Sequence, residues 1–323
     1  NVLKLNKFLF LLTFSFFIIS CDNDDNDTQT APEELTIVET AAATPELSIL
    51  VDALTAADGD LLTTLSGGNF TVLAPTNDAF VGFLSANGFA SLDEVPTDVL
   101  SNILLNHVIT GSVMSTDLAS AGSGYTTTNA TNMDGDNLSL YFSTSSGVEF
   151  NGQSSVVSAD VTASNGIVHV VDAVIGLPTV VTFATTNPTF ETLVAALTRD
   201  DLSQDFVSIL STTDEPSPFT VFAPTNDAFA SLLSELGVDS LGDIDATTLE
   251  LTLATHVVVE ANVRSGDLTN GMNITTIGDA LTVSLDAGPQ LIDLNDRIAN
   301  IIAVDVQAYN GVVHVIDKVV LPQ

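Results

Sequence analysis

Chemistry in this chain would have to come from four histidines, one cysteine and 41 carboxylates. A zinc centre needs three or four converging nitrogen, sulfur or oxygen ligands at suitable spacing. His107, His169, His256 and His314 form no His-x-x-x-His or His-x-Glu cluster. Nucleophilic catalysis would call for a serine on a G-x-S-x-G elbow, and none is present. Gly67-Gly68 is followed by Asn69 rather than a lysine and lacks dinucleotide spacing, so no phosphate cradle is indicated. Paired carboxylates for glycoside hydrolysis cannot be singled out from so many acidic residues. His169 shares a strand face with Ile167 and Val171, which predicts a half-buried core position. The histidines therefore read as structural, and the chain as no enzyme: catalytic, cofactor and metal residues are expected to be none.

Charge narrows the partners. Six Lys and Arg against 41 Asp and Glu give a formal net charge of -35. Such a surface repels phosphate backbones, so nucleic acid is excluded as a partner. The plainer reading is a solvated exterior that keeps the protein soluble, and the sharper one a surface that collects Ca2+ or meets a cationic partner; no specific calcium motif supports a Ca2+ cofactor. The run Asp22-Asn23-Asp24-Asp25-Asn26-Asp27 lacks the glycine and distal glutamate of a calcium loop.

The single cysteine excludes an intrachain disulfide and points to another role. Lys4 and Lys7 precede an apolar run from Phe8 to Ser20, too short to span a bilayer comfortably but suited to a signal peptide. Cys21 follows at once in Ile18-Ile19-Ser20-Cys21, which resembles the bacterial lipoprotein box. That resemblance implies cleavage before Cys21 and lipidation of its sulfur. Residues 1–20 are thus expected to be a lipoprotein signal peptide and 21–35 an acidic tether unable to bury a core. The acidic run resembles the export signals of Bacteroidetes surface lipoproteins, which implies anchoring in the outer membrane, facing the exterior.

An internal repeat sets the elements. Ala74-Pro75-Thr76-Asn77-Asp78-Ala79-Phe80 recurs unchanged as Ala223-Pro224-Thr225-Asn226-Asp227-Ala228-Phe229. His107 pairs with His256, and Asn165–Asp172 with Asn310–Asp317. The chain is one unit written twice. Leu47, Leu50, Val51 and Leu54, and again Phe190, Leu193, Val194 and Leu197, predict an amphipathic helix opening each copy. Phe70–Ala74 and Phe219–Ala223 predict short strands broken at Pro75 and Pro224. Thr76 or Asn77, and Thr225 or Asn226, are placed to cap the next helix, with Asp78 and Asp227 in its first turn. Leu138–Phe142 and Leu281–Leu285 alternate as strands, and Val156–Val161 and Ile301–Val306 add more. Asn165-Gly166 and Asn310-Gly311 predict two-residue hairpin turns. The 111–135 segment, rich in Ser, Thr, Asn and Gly, reads as a variable loop that could carry specificity.

An opening helix, the A-P-T-N-D-A-F block, a histidine in mid-unit and a closing N-G-V-V-H-V-I-D block together resemble the fasciclin (FAS1) domain. The resemblance covers 36–178 and 179–323, and implies an α+β fold: two tandem FAS1-like domains, each a β-sandwich or wedge of strands with helices around it. It implies non-catalytic, cell-surface adhesion or interaction with an extracellular matrix. The partner would be an extracellular or envelope protein or a glycan. Some animal members bind receptors through a Tyr-His pair or an Asp-Ile pair. Asn106 and Thr255 precede the mid-unit histidines, so the first pair is absent. Asp160-Val161 and Asp305-Val306 stand at the second, which makes Asp160 and Asp305 adhesion candidates, with structural hydrogen bonding as the alternative. A polysaccharide- or small-ligand-binding lipoprotein, or a spacer in an envelope or biofilm, remain alternatives. The first is weakened by the absence of Trp and by only three tyrosines, Tyr125, Tyr141 and Tyr309.

Overall fold

A computed structural model describes residues 34–323, so Cys21, the apolar run and most of the acidic tether lie outside the described residues. In the first repeat three short helices come first, α1 (Ile37–Ala43), α2 (Ser48–Ala56) and α3 (Leu61–Gly67). Then follow β1 (Phe70–Pro75), α4 (Asn77–Ala86), α5 (Thr97–Leu105), β2 (Val108–Thr110) and α6 (Ser115–Ala121). The repeat closes with β3 (Ser123–Thr131), β4 (Asn137–Ser143), β5 (Glu149–Phe150), β6 (Ser154–Ala163) and β7 (Gly166–Val171). The second repeat restates this order with α7 (Val180–Thr186), α8 (Glu191–Leu197), α9 (Phe206–Ser211), β8 (Phe219–Pro224), α10 (Asn226–Leu236) and α11 (Ala246–Thr255). Its remaining strands are β9 (Val257–Val258), β10 (Asn273–Ile274), β11 (Leu281–Ser284), β12 (Gln290–Ile292), β13 (Ile298–Ala308) and β14 (Gly311–Ile316). No helix among the described residues is long and apolar enough to cross a membrane.

The α+β class and the tandem architecture are as expected, and the sheets add detail. In each repeat the first long strand pairs in parallel with the last, β1 with β7 and β8 with β14. The other pairings are antiparallel. The first sheet closes into a seven-stranded barrel, whereas the second is an open seven-stranded sheet in the order β10-β11-β12-β13-β14-β8-β9. The difference lies in strand length: β3 has nine residues and reaches β2 at Ile109 and Thr128, but β10 has only two.

The central strands are buried on both faces, so they read as continuous apolar runs. Val72 and Ala74 of β1 pack with the helices, among Leu50, Phe80, Leu100 and Leu104. Leu73, between them, points to the other face and packs with Ile109, Leu140, Phe142 and Phe150. The second repeat divides β8 the same way, with Val221 and Ala223 on the helical side and Phe222 on the other.

Several local expectations change. Each repeat opens with a helix before the expected one, α1 or α7, and Leu47 and Phe190 end 3-10 turns rather than starting the next helix. α1 is short and buries only Ile37 and Ala41, which is too little for a periodic signal; its capping box of Thr36 and Glu39 is the cue in the sequence. The hairpin turns sit one residue early, because Ala163 pairs with Gly166 and Ala308 with Gly311. The glycines instead begin β7 and β14, where a Cβ would strike the carbonyl oxygen of Phe70 or Phe219 on the neighbouring strand. Residues 111–135 are not one loop: 115–121 form α6 and 123–131 form β3, and the polar run 123–127 pairs residue by residue with β4. Thr suits a pleated, half-buried strand, so tertiary pairing overrides the loop-like composition. β4 loses its alternation, with Leu138 to Phe142 all buried, because its outer face is covered by the second repeat.

Candidate functional site

The shared heptapeptide works as a clasp. Thr76 and Thr225 are the helix caps, each accepting from the amide three residues on, Ala79 or Ala228, at 3.2 Å. Asn77 and Asn226 do something else. Asn77 Oδ1 accepts from Ile49 N at 2.9 Å and its Nδ2 donates to Pro45 O at 3.0 Å, which pins the start of α2. Asn226 does the same for α8 through Thr192 N and Pro188 O. Asp78 and Asp227 are in the first helical turn. Asn165 and Asn310 form a second clasp: Asn165 accepts from Ile37 N at 2.8 Å and donates to Leu65 O, and Asn310 joins Val180 N to Leu210 O.

All four histidines are buried, at 3 % exposure or less, so the half-buried expectation for His169 is corrected. Their partners fix their tautomers. A carbonyl needs a donor and an amide needs an acceptor. His107 therefore donates from Nδ1 to Ile103 O at 2.8 Å and accepts at Nε2 from Ile175 N at 2.9 Å. His256 matches it with Thr252 O and Val320 N. His169 has the opposite tautomer, accepting at Nδ1 from Asp160 N at 3.2 Å and donating from Nε2 to Val113 O at 2.9 Å. His314 matches that with Asp305 N and Val263 O. Each ring is a neutral bracket with both nitrogens in use. Burial holds His107 and His256 down at about 4, and lowers His314 as well.

Asp160 and Asp305 stand at β-bulges, each at a positive φ of 58–59° that Asp tolerates better than most residues. The bulge turns each amide to the histidine and each carboxylate to a serine. Asp160 accepts from Ser115 N at 2.8 Å and from Ser115 Oγ at 2.5 Å; Asp305 accepts from the amide and hydroxyl of Ser265. The serine hydrogen bonds, side chain first, hold the Asp160 carboxyl below its usual range.

Ser115, His169 and Asp160 thus lie together, yet they are not wired as a catalytic triad. A triad needs the serine hydroxyl on His Nε2 and a carboxylate accepting from His Nδ1. Here the serine is held by the aspartate, Nε2 is spent on a carbonyl, and Nδ1 is itself an acceptor, 4.0 Å from Asp160 Oδ1. The copy around Ser265, His314 and Asp305 repeats this wiring. Among the described residues, no group of three or more His, Cys, Asp or Glu is arranged to hold a metal ion.

The other concentration of polar chemistry is the contact between repeats, whose residues had no motif. Tyr141 of β4 lies in the core of the second repeat, and its ring is 5.3 Å from that of Tyr125. Tyr125 in turn meets Phe183 of α7 edge-on at 5.4 Å. Burial pushes the Tyr125 phenol up to about 12, opposed by its hydrogen bond from Asn187. Asn132 donates to Gln307 Oε1 at 3.1 Å, and Gln307 N donates to Ser139 Oγ at 3.0 Å. At the rim Arg264 Nε stands 2.7 Å from Asp136 Oδ2, while Asn262 donates to Asp134 and Asp136. Residues Glu34–Gln323 accordingly pack as one compact unit.

The twice-written clasp and histidine brackets coincide with a family model for the fasciclin domain, which matches residues 45–178 and again 188–322. The chain belongs to the fasciclin domain family. Protein sll1483 of Synechocystis sp. is 38% identical over 142 residues, covering 44% of this chain and 73% of that protein. Transforming growth factor-beta-induced protein ig-h3 of Sus scrofa is 28% identical over 259 residues, covering 79% of this chain but only 35% of that protein. A solved FAS1 domain pair, from the insect cell adhesion molecule fasciclin I, superposes with a TM-score of 0.50 at 20% identity, covering 85% of this chain and 97% of that one. At that identity the match speaks to the fasciclin fold. No catalytic family is indicated by these relatives.

Proposed function

We propose that this fasciclin protein is a cell-surface adhesion module that presents two FAS1 domains as a docked pair. The observation that carries the reading is that the clusters most like catalytic sites spend their functional groups on the fold. Each histidine nitrogen already has a backbone partner, and each serine hydroxyl is held by an aspartate. Recognition then falls to exposed surface rather than to a reactive centre. In this reading Cys21 carries the lipid, residues 22–35 hold the pair off an outer membrane, and the partner is an extracellular or envelope protein or glycan. The support for the anchor is the order of residues alone, a charged start, an apolar run and then the single cysteine.

The test is binding of the soluble chain from Asp22 to Gln323, which keeps the compact unit whole, to arrays of glycans and of envelope and matrix proteins, with Ca2+ and with chelator. Saturable binding to one target is expected. Well-folded protein that binds nothing would favour a spacer. Asp160→Ala and Asp305→Ala that leave binding intact would remove those residues from the adhesive surface. Palmitate labelling that is lost in Cys21→Ser would establish the anchor.

A further inference from the structure

The second repeat holds an apolar cavity that neither the clasps nor the adhesion reading uses. α7, α8 and α9 lie over β8 and leave a cavity of about 100 Å3 between them. Its floor is formed by Leu193, Leu210, Val221 and Val313, all buried. Its mouth is formed by Val181, Ala184, Val194 and Val207, all partly exposed, so the cavity is reached from solvent.

No charged side chain lines it, and the few polar groups that do are already engaged. Thr185 Oγ1 donates to the Val181 and Thr182 carbonyls, and Thr198 Oγ1 to the Val194 carbonyl. Both nitrogens of His256 are taken by Thr252 O and Val320 N. Both threonines are exposed, so a hydroxyl, amide or charge placed against the apolar floor, away from them, would go unpaired, which is costly. Water gains little there for the same reason: an enclosed apolar cavity of about 150 Å3 stays dry and takes up benzene, and this smaller one, about 100 Å3, is open at its mouth to an apolar group whose remainder protrudes. The net charge of -35 adds a second filter by disfavouring an anionic ligand.

We propose that this cavity binds the hydrocarbon end, a short alkyl or phenyl group, of a neutral or cationic small molecule. The site stands independently of the adhesion reading, since it requires no macromolecular partner.

Methyl-labelled protein titrated with benzene, hexyltrimethylammonium and hexanoate, followed by NMR, tests it. Saturable shifts are expected at the methyls of Val181, Val194, Leu197 and Val207, with Leu281 and Leu291 on the far side of the sheet unmoved. Hexyltrimethylammonium should bind about tenfold more tightly than hexanoate. Ala184→Phe should fill the mouth and abolish the shifts; if that variant fails to fold, Val194→Phe closes the same mouth from α8. Non-saturating shifts, shifts spread across both repeats, or unchanged binding in the folded plugged variants would overturn the site. Equal affinity for the anion and the cation would overturn the charge preference.

Discussion

Tyr125 accepts a hydrogen bond from Asn187 Nδ2 across 3.1 Å, a bond from the second repeat to the first. Beside it Tyr141 is 4 % exposed in the second repeat's core. Truncating a large buried aromatic ring loses both transfer energy and packing. Tyr141→Ala is expected to cost about 3 kcal/mol, and Tyr125→Phe about 1 kcal/mol for the lost hydrogen bond. Urea unfolding measures the cost, and small-angle scattering shows whether the repeats come apart. An unchanged midpoint and scattering profile in Tyr141→Ala would contradict this contact.

The mid-repeat histidines make stability depend on pH. His107 and His256 fold with values near 4 against an ordinary 6.5, so the unfolded chain binds protons more readily. Their contribution is fully present above about pH 6.5 and is lost as pH falls towards 4. The loss approaches about 3 kcal/mol for each ring. Denaturant titrations at pH 7, 5.5 and 4 should show it, and His107→Gln with His256→Gln should flatten the profile while lowering stability at pH 7. A wild-type profile that is flat between pH 7 and 4 would count against neutral buried rings.

Asn77 and Asn226 each tie the start of their own helix, α4 or α10, to the start of α2 or α8. Asn77→Ala or Asn226→Ala leaves an amide and a carbonyl without partners, an expected cost of about 1–2 kcal/mol each. Asp78→Ala, which loses only a helix-end charge interaction, should cost about 0.5 kcal/mol. Thermal or urea midpoints rank the variants. Equal effects at positions 77 and 78 would mean that the clasp contributes nothing beyond the helix end.

Two glycines should respond very differently to one added methyl group. Gly166→Ala places a Cβ against the Phe70 carbonyl of the adjacent parallel strand and is expected to cost more than about 3 kcal/mol. Gly88 also has a positive φ, +76°, but open space around it, so Gly88→Ala should cost only about 1–2 kcal/mol. Comparable unfolding midpoints would argue against the close approach of β1 and β7.

Much of the fold is local and so was legible in the residues. The repeated heptapeptide marked a strand, a break and a capped helix, since Pro75 and Thr76 act through their own backbone and the next turn. The duplicated histidines read as structural for want of any clustered partner, and their full burial follows from brackets to segments 56 and 68 residues away. The strand face shared with Ile167 and Val171 predicts only a half-buried His169, and the distant Val113 carbonyl that completes its surroundings is not legible in that local pattern. The partners of Asn77 and Asn165, 28 and 128 residues away, were likewise out of reach.

The residues by themselves determined that the chain is one strongly acidic unit written twice, with its capped helices and broken strands in a fixed order, because capping, strand breaking and charge are properties of neighbouring residues; the α+β class followed from the resemblance to the fasciclin domain. Tertiary structure alone decided which faces are covered. It turned the polar 123–131 segment into the strand that closes the first barrel, placed Tyr141 in the core of the other repeat, wired Ser115 to Asp160 rather than to His169, and left a cavity under α7, α8 and α9. Each of these depends on groups far apart in the chain meeting in space, and no local pattern of residue types encodes that meeting.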